Sequence, residues 1–275
     1  MNKKVDSQPG IKSSLGNIPF AVTENHNEVY YYWNESGLKN STLFHIDGHS
    51  DMDGGNRAYY EGMPKDLDVY GGEKICCKED YYKSLSIGGF IVPGFFYGII
   101  GSIYWLNPHS EKRKLQYMGS AFSREEGNNI EKGRWLFAYE HWGFGNYPEL
   151  RFQARAKYPD YFKKGFYQGR KKNIKQVVIK KEAPLILDLD LDAFCCHKFV
   201  HYTPKDYDGV NGWRDRLDET IETISYLQKK PNLITLTLSS SPAFVPKNLS
   251  TEVLESTLDG LQLIYGKLSN PIPLG

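Results

Sequence analysis

The chain has 275 residues, 40% of them hydrophobic, which is enough to fill the core of one large α/β domain. Its 34 basic and 33 acidic residues give a formal net charge of +1, so no strong field draws it to a nucleic-acid backbone or an anionic membrane. No apolar stretch approaches the roughly 20 residues that span a bilayer, and the polar start, Met1 to Ser14, lacks the apolar core of a signal peptide; we expect a cytoplasmic protein.

The hydrophobic pattern predicts one folded domain over residues 17–275 after a flexible N-terminal arm over 1–16. The segment 110–182 is basic, rich in tyrosine and weakly patterned, which indicates an insertion or long loops. Short apolar runs bounded by turn residues predict strands at 18–22, 42–47, 102–106, 135–139, 185–190 and 233–238.

Apolar residues at spacings of three and four predict helices over 215–228 and 251–264, the second with Ser250 as its N-cap and Leu254, Leu258 and Leu261 on its inward face. Several of the strands are continuously apolar, which is typical of parallel strands covered on both faces. Because strands and helices alternate, we expect an α/β fold with a mostly parallel central sheet flanked by helices.

The four cysteines form two adjacent pairs, Cys76-Cys77 and Cys195-Cys196. This spacing matches neither a zinc ribbon nor a disulfide framework, so we expect reduced thiols. Burial as small hydrophobic side chains is the favoured interpretation for Cys195 and Cys196. Because this pair directly follows an acidic segment, a ligand or redox role is the alternative.

Potential metal ligands occupy every second position where the apolar run at 42–47 ends. Side chains of an extended strand alternate between its faces, so His45, Asp47, His49 and Asp51 are expected on one side of the chain. The carboxyl ends of strands are where open α/β sheets bind ligands. Mixed imidazole and carboxylate donors suit Mn²⁺, Fe²⁺ or Zn²⁺ better than Ca²⁺.

Three aspartates, Asp188, Asp190 and Asp192, follow a second apolar run in the same alternating pattern. Like charges on one strand face repel one another in a buried site unless a cation lies among them. A solvated acidic edge strand is the alternative, but it does not account for the apolar residues 185–187. The two segments together therefore indicate a metal site built from distant parts of the chain.

The two segments also resemble known motifs. Residues 47–51 resemble the Asp-Ala-His-x-Asp motif of the arginase and ureohydrolase superfamily, and residues 188–192 resemble its later Ser-Phe-Asp-x-Asp motif. Residues 24–28, 86–91 and 103–108 resemble the arginase-like branch that includes the peptide arginases, which convert arginine side chains in ribosomally made peptides to ornithine. This resemblance implies a three-layer arginase-like fold and two bound Mn²⁺ ions.

The resemblance implies a ligand set drawn from both segments and one upstream histidine. The set is His26, Asp47, His49, Asp51, Asp190 and Asp192. Asp188 occupies the position of a serine in the superfamily motif, and His45 has no ligand counterpart there. Both are expected either to support the ligands by hydrogen bonds or to act as alternative ligands.

The implied reaction is hydrolysis of peptidyl-arginine to peptidyl-ornithine and urea, with an arginine-containing precursor peptide as partner. A water activated by the ions would attack the guanidinium carbon, and Asp51 would pass a proton to the departing amine. His141 is the expected proton shuttle. Since residues 238–246 contain no counterpart of the late glutamate of arginases, Glu28 or Glu140 is expected to bind the guanidinium.

Three other functions stay open. The first is a ureohydrolase acting on a small free guanidino compound. The second is a Mn²⁺-dependent glycosyltransferase, because Asp-x-Asp after an apolar strand also binds a metal and a nucleotide diphosphate; this function leaves residues 47–51 unexplained. The third is a non-catalytic binding module stabilised by metal.

Overall fold

The structure, a computed structural model, describes residues 8–49, 51, 85, 87–91, 94, 98–109, 115–118, 170–172, 182–197, 208–239 and 244–272. The strands of this part of the chain are β1 (Ile11–Leu15), β2 (Ile18–Thr23), β3 (Ser41–Ile46), β4 (Ile100–Leu106), β5 (Leu115–Met118), β6 (Arg170–Lys172), β7 (Leu185–Asp190) and β8 (Leu233–Thr237). Its α-helices are α1 (Val29–Glu35), α2 (Trp213–Ser225) and α3 (Ser250–Tyr265). Short 3₁₀ helices lie at His26–Glu28 and Leu191–Ala193.

The strands form one mixed sheet in the order β1-β2-β8-β7-β3-β4-β5-β6. The five central strands, from β2 to β4 in this order, are all parallel to their neighbours. At the two sides, β1 pairs with β2, β5 with β4 and β6 with β5 in antiparallel fashion. The predicted α/β fold with a mostly parallel sheet flanked by helices is confirmed.

The chain changes direction across the sheet between β3 and β7. From β3 it continues to β4 on one side, whereas from β7 it continues to β8 on the other. Connections that leave adjacent parallel strands in opposite directions open a crevice at their carboxyl ends, and open α/β sheets bind ligands there. Both acidic segments identified in the sequence begin at this point.

The two faces of the sheet differ in chemistry because side chains alternate along each strand. Phe44 of β3 and Leu187 of β7 belong to one hydrophobic cluster with Leu217 of α2 and Leu258 of α3. On the other face, α1 packs near β2 and β8, and its Trp33 donates from Nε1 to Thr235 Oγ1 at 3.4 Å. A layer of helices therefore lies on each face of the sheet.

Two sequence-based expectations need correction. The predicted arm over 1–16 contains β1, which pairs along its whole length with β2, so at least this part of the arm belongs to the sheet. Ser250 is the first residue of α3 and not its N-cap; the cap position is Leu249, and the Ser250 hydroxyl donates to the Lys247 carbonyl. Among the described residues, no side chain caps the N-terminus of α3.

The remaining helix and strand predictions agree closely with the structure. The inward stripe of α3, residues 254, 258 and 261, is buried as expected. The strand predicted over 135–139 and most of the predicted insertion lie outside the described residues. Among the helices that the structure describes, none combines the length and the apolar character needed to cross a membrane.

Candidate metal centre

The predicted ligands meet at the carboxyl ends of three parallel strands. His26 follows β2, Asp47 and His49 follow β3, and Asp190 ends β7. Asp51 and Asp192 lie close behind in the same segments. All these side chains are buried except that of His49, which is 25% exposed. The structure thus brings together all six residues that the resemblance implied.

A row of polar side chains crosses the sheet below the ligands. The strand register places His45 of β3 and Thr235 of β8 on either side of Asp188 of β7. His45 Nδ1 donates to Asp188 Oδ2 at 2.8 Å, and the Thr235 hydroxyl donates to Asp188 Oδ1 at 2.6 Å. His26 Nε2 donates to the same Oδ2 atom at 3.0 Å. Asp188 therefore orients two imidazole rings at once.

The bond to Asp188 determines which nitrogen of His26 faces the cluster. Nδ1 lies 2.7 Å from Asp51 Oδ2 and 3.1 Å from the Oδ2 atoms of both Asp47 and Asp190. A metal-binding histidine commonly donates its other N–H to a carboxylate, which leaves the first nitrogen free to bind the ion. One nitrogen and three carboxylate oxygens from three segments thus converge on one point.

A second group of ligand atoms surrounds His49. Its Nδ1 lies 2.9 Å from Asp192 Oδ2 and 3.5 Å from Asp47 Oδ1. Asp47 therefore faces His26 with one carboxylate oxygen and His49 with the other. Asp47 therefore belongs to both groups of potential ligands.

Buried polar atoms without a hydrogen-bond partner support a cation here. Among the described residues, such atoms include His26 Nδ1, His45 Nε2, Asp47 Oδ2 and Asp192 Oδ1. A buried donor or acceptor that forms no bond costs roughly 1–3 kcal/mol, and a charged group costs more. Three groups bring their ligand atoms within 4.8 Å of one another: His26, His45 and Asp47; His49, Asp192 and Cys196; and Asp47, Asp190 and Asp192. The donors present fit a divalent transition metal.

The electrostatics also show a site that lacks positive charge. Burial, followed by the nearby Asp192, raises the pKa of Asp190 to about 7. Burial and the neighbouring Asp47 raise the pKa of Asp192 to about 6. Burial lowers the pKa of His26, but the carboxylates around it outweigh burial and hold this pKa well above its ordinary value. The carboxylates around His26 thus create a negative potential that a bound cation would offset.

Asp188 behaves differently from its neighbours. Burial raises its pKa, but His26 and His45 outweigh burial and hold this pKa far below its ordinary value. Both of its carboxylate oxygens accept hydrogen bonds from side chains. Asp188 was expected either to support the ligands by hydrogen bonds or to bind the ion itself, and these contacts favour the supporting role. For His45, the unpartnered Nε2, 3.4 Å from Asp47 Oδ2, favours a role as an alternative ligand.

Sequence reasoning missed two residues that hold the aspartates of β7 in place. The Ser239 hydroxyl lies 2.6 Å and 2.7 Å from the two oxygens of Asp190 and donates to this carboxylate. His109 Nε2 donates to the Asp192 carbonyl at 2.8 Å. Each follows a strand of the parallel core, β8 or β4, by two or three residues. The signal available in the sequence was that each residue lies just after an apolar run that forms a central strand.

The backbone is strained at two residues of the site, Asp51 and Ser239. Asp51 has φ = 49° and Ser239 has φ = 46°, in the left-handed region that non-glycine residues rarely adopt. Such conformations cluster at functional sites, where the surrounding structure over-determines them. Here they turn the Asp51 carboxylate towards His26 and the Ser239 hydroxyl towards Asp190.

Of the predicted substrate-binding and shuttle residues, the structure describes only Glu28. The Glu28 carboxylate accepts from the backbone N–H groups of Glu24 and Asn25 and from Asn25 Nδ2. These bonds hold the 3₁₀ helix that carries His26, and the substrate-binding role of Glu28 stays a prediction. Glu140 and His141 lie outside the described residues.

Comparisons with known proteins give no functional assignment. No family profile matches the chain, and no curated protein matches it in sequence. Among solved structures, it is similar to one described as a hypothetical agmatinase from Burkholderia thailandensis, with 12% sequence identity and a TM-score of 0.38 over 89% of this chain. The chain spans 57% of the length of that protein. At this level the likeness supports no functional assignment.

The fold and the site define an α/β protein with a buried cluster of histidine and aspartate side chains at the switch point of its parallel sheet. The cluster has the donor set and the geometry to hold a divalent metal.

Proposed function

We propose that this chain is a dinuclear metal hydrolase that converts peptidyl-arginine to peptidyl-ornithine and urea in a ribosomally made precursor peptide. The observation that carries the proposal is the pair of donor groups that share Asp47. One contains His26, Asp51 and Asp190, and the other contains His49 and Asp192. These residues are the ones that the resemblance to arginases implied, and they converge although they come from distant segments.

Two Mn²⁺ ions are the proposed cofactors. His26, Asp47, Asp51 and Asp190 would hold one, and His49 and Asp192, with Asp47 between the groups, would hold the other. When bound, such ions lower the pKa of a water from about 15.7 towards neutrality, which supplies a nucleophile at physiological pH. Asp51 would carry a proton to the departing amine, and His141 would exchange it with solvent.

Substrate would approach from the side of His49, the most exposed side chain of the cluster. Phe244 lies against His49 with ring centroids 5.6 Å apart and nearly perpendicular planes. A partly buried aromatic ring beside the donors would pack against the methylene groups of an arginine side chain while the guanidinium reaches the cluster. Either Glu140 or Glu28 would then pair with the guanidinium.

Mass spectrometry tests the proposal directly. The protein, loaded with Mn²⁺, is incubated with an arginine-containing peptide and with the same peptide carrying lysine at that position. We expect a loss of about 42 Da per converted arginine, the mass difference between guanidine and amine, and no change in the lysine peptide. Asp190→Asn should abolish the conversion, whereas Asp259→Asn, at an exposed position of α3, should not.

A parallel urea assay on free arginine and agmatine separates the peptide substrate from a small guanidino compound. Urea from the free compounds and none from peptides would replace the peptide arginase proposal with a ureohydrolase. No urea from any of them, with metal bound, would overturn both. Hydrolysis of a nucleotide sugar would point to the glycosyltransferase, which the three histidines around the aspartates do not favour.

A further inference from the structure

Cys195 and Cys196 are adjacent in the chain but face different surroundings. Both side chains are fully buried. Cys195 belongs to the hydrophobic cluster that β7 forms with α2 and α3. Cys196 belongs instead to the group of ligand atoms with His49 and Asp192, which all lie within 4.8 Å of one another. Burial, the favoured expectation, holds for both thiols, whereas the position of Cys196 among ligand atoms also fits the alternative expectation of a ligand role.

Several buried hydrogen bonds hold the turn that carries Cys196. The Cys196 N–H donates to the Gly209 carbonyl at 3.1 Å. The buried Arg216 donates from Nε to the Phe194 carbonyl and from an Nη atom to the same Gly209 carbonyl, both at 2.7 Å. The next N–H, that of His197, donates to the Phe244 carbonyl at 2.9 Å. The thiol is therefore held beside the ligands by the fold of the chain.

An independent observation indicates that this corner of the site takes a ligand. Asp192 is 2% exposed, and its Oδ1 atom has no hydrogen-bond partner among the described residues. Its Oδ2 atom already faces His49 Nδ1 at 2.9 Å. An ion bound between the imidazole, this carboxylate and the thiol would satisfy the unpartnered oxygen.

The group formed by His49, Asp192 and Cys196 includes a sulfur atom. Around His26, by contrast, only nitrogen and oxygen atoms converge. Soft thiolate ligands favour Zn²⁺ and other thiophilic metals, whereas carboxylate-rich sites suit Mn²⁺. On binding, the thiol releases its proton to solvent as the metal–sulfur bond forms. The two positions of the cluster should then differ in metal preference.

We propose that Cys196, with His49 and Asp192, binds one of the two ions through its sulfur, so that this position prefers Zn²⁺ or Co²⁺ while the position at His26 prefers Mn²⁺. The inference rests on the metal centre of the proposed function but not on its substrate. It makes the two metal positions different from each other, and it gives Cys196 a role that the hydrolytic proposal does not require.

Cobalt substitution tests the inference without using activity. The metal-free full chain is titrated with Co²⁺ while near-ultraviolet absorption is recorded, because a sulfur-to-cobalt charge-transfer band appears only if a thiolate binds the ion. We expect the band in the parent protein and in Cys195→Ser, and its loss in Cys196→Ser. A doubly substituted Cys76→Ser, Cys77→Ser variant should keep the band. A band that persists in Cys196→Ser overturns the inference, as does Co²⁺ binding without a band in the parent.

X-ray absorption keeps the result interpretable if Cys196→Ser fails to fold, and a metal competition tests the preference if it folds. X-ray absorption of the parent with one Zn²⁺ per chain should show a sulfur neighbour at about 2.3 Å, and a shell of nitrogen and oxygen alone would overturn the proposal. With equal Zn²⁺ and Mn²⁺, the parent should retain both metals, and a folded Cys196→Ser should retain at least about tenfold less Zn²⁺ relative to Mn²⁺. If neither metal nor Co²⁺ binds, the metal centre of the proposed function itself is wrong.

Discussion

His26 and Asp188 are 162 residues apart in the chain, yet His26 Nε2 donates to Asp188 Oδ2 at 3.0 Å in the buried centre of the molecule. The same oxygen accepts from His45 Nδ1. Because one carboxylate holds both imidazole rings, the nitrogens on their other sides, Nδ1 of His26 and Nε2 of His45, are both turned towards Asp47. Asp188 thus connects the sheet to the ligands.

Asp188→Asn should therefore weaken metal binding although Asp188 need not touch the ion. An amide accepts through only one of its two polar atoms, so it cannot hold both imidazoles and also accept from Thr235. Loss of such a supporting contact typically reduces metal affinity about 10- to 100-fold. A competition titration with a chromophoric chelator measures this. Asp259→Asn serves as the surface control, and equal affinities in the two variants would contradict the role of Asp188.

Asp190→Asn should stabilise the metal-free protein while it prevents metal binding. In the folded protein without metal, burial and Asp192 raise the pKa of Asp190 to about 7, and this net shift already includes the attraction of His26. An unfolded aspartate titrates near about 3.9, so between these pH values the folded state binds more protons. The stability from this group is then lost as pH rises towards 7.

Asparagine stays neutral, so the gain from Asp190→Asn should be small at pH 4 and should approach about 4 kcal/mol at most at pH 8, because the shift spans about three pKa units of about 1.4 kcal/mol each. Chemical denaturation of both metal-free proteins at the two pH values measures it. With Mn²⁺ added, the order should reverse, because only the parent binds the ion and gains stability from it. A variant that is less stable than the metal-free parent at pH 8 would show that Asp190 is not under electrostatic strain.

The parts of the fold that were predictable from the sequence depend on local patterns. The continuous apolar runs of β3, β7 and β8 are buried on both faces in the sheet, and the alternating aspartates lie where β7 ends. By contrast, β1 is a strand because it pairs with β2, and its own residues show only Ile11 and Leu15 as apolar positions. Its presence in the sheet could not be predicted from the segment alone.

The supporting residues of the site depend on which strand ends become neighbours. Ser239 reaches Asp190 because β8 lies beside β7 in the sheet, although helix α2 separates these two strands in the sequence. The different surroundings of Cys195 and Cys196 likewise follow from a turn held by Arg216, 20 residues or more further along the chain. The ligand types were visible in the sequence, whereas these contacts required the three-dimensional order of strands.

Packing between α2 and α3 predicts a steric effect at Gly260. A Cβ atom there would lie 2.7 Å from Ile221 Cγ1 and 2.8 Å from its Cδ1 atom, closer than carbon atoms approach. Gly260→Ala improves helix propensity by about 1 kcal/mol, but overpacking costs roughly 1–3 kcal/mol, so we expect a net loss of stability. In an Ile221→Ala background, the same change should be neutral or stabilising. Equal effects of Gly260→Ala in both backgrounds, measured by denaturant unfolding, would contradict the contact.

His109 should make the metal-free protein sensitive to acid. Burial lowers its pKa to about 3, so the folded protein keeps a neutral imidazole that donates to the Asp192 carbonyl. An unfolded histidine titrates near about 6.5, so between pH 6.5 and 3 the unfolded chain binds a proton that the folded state excludes, and stability falls as the pH falls.

His109→Asn loses the bond, at about 1–2 kcal/mol near pH 8, but carries no such penalty in acid. The denaturation midpoints of the metal-free parent and of His109→Asn should therefore converge as the pH falls from 8 and cross before pH 4, whereas His197→Asn, at an exposed position, should follow the parent throughout. Parallel curves for His109→Asn and the parent would mean that the imidazole gains its proton without leaving its buried position.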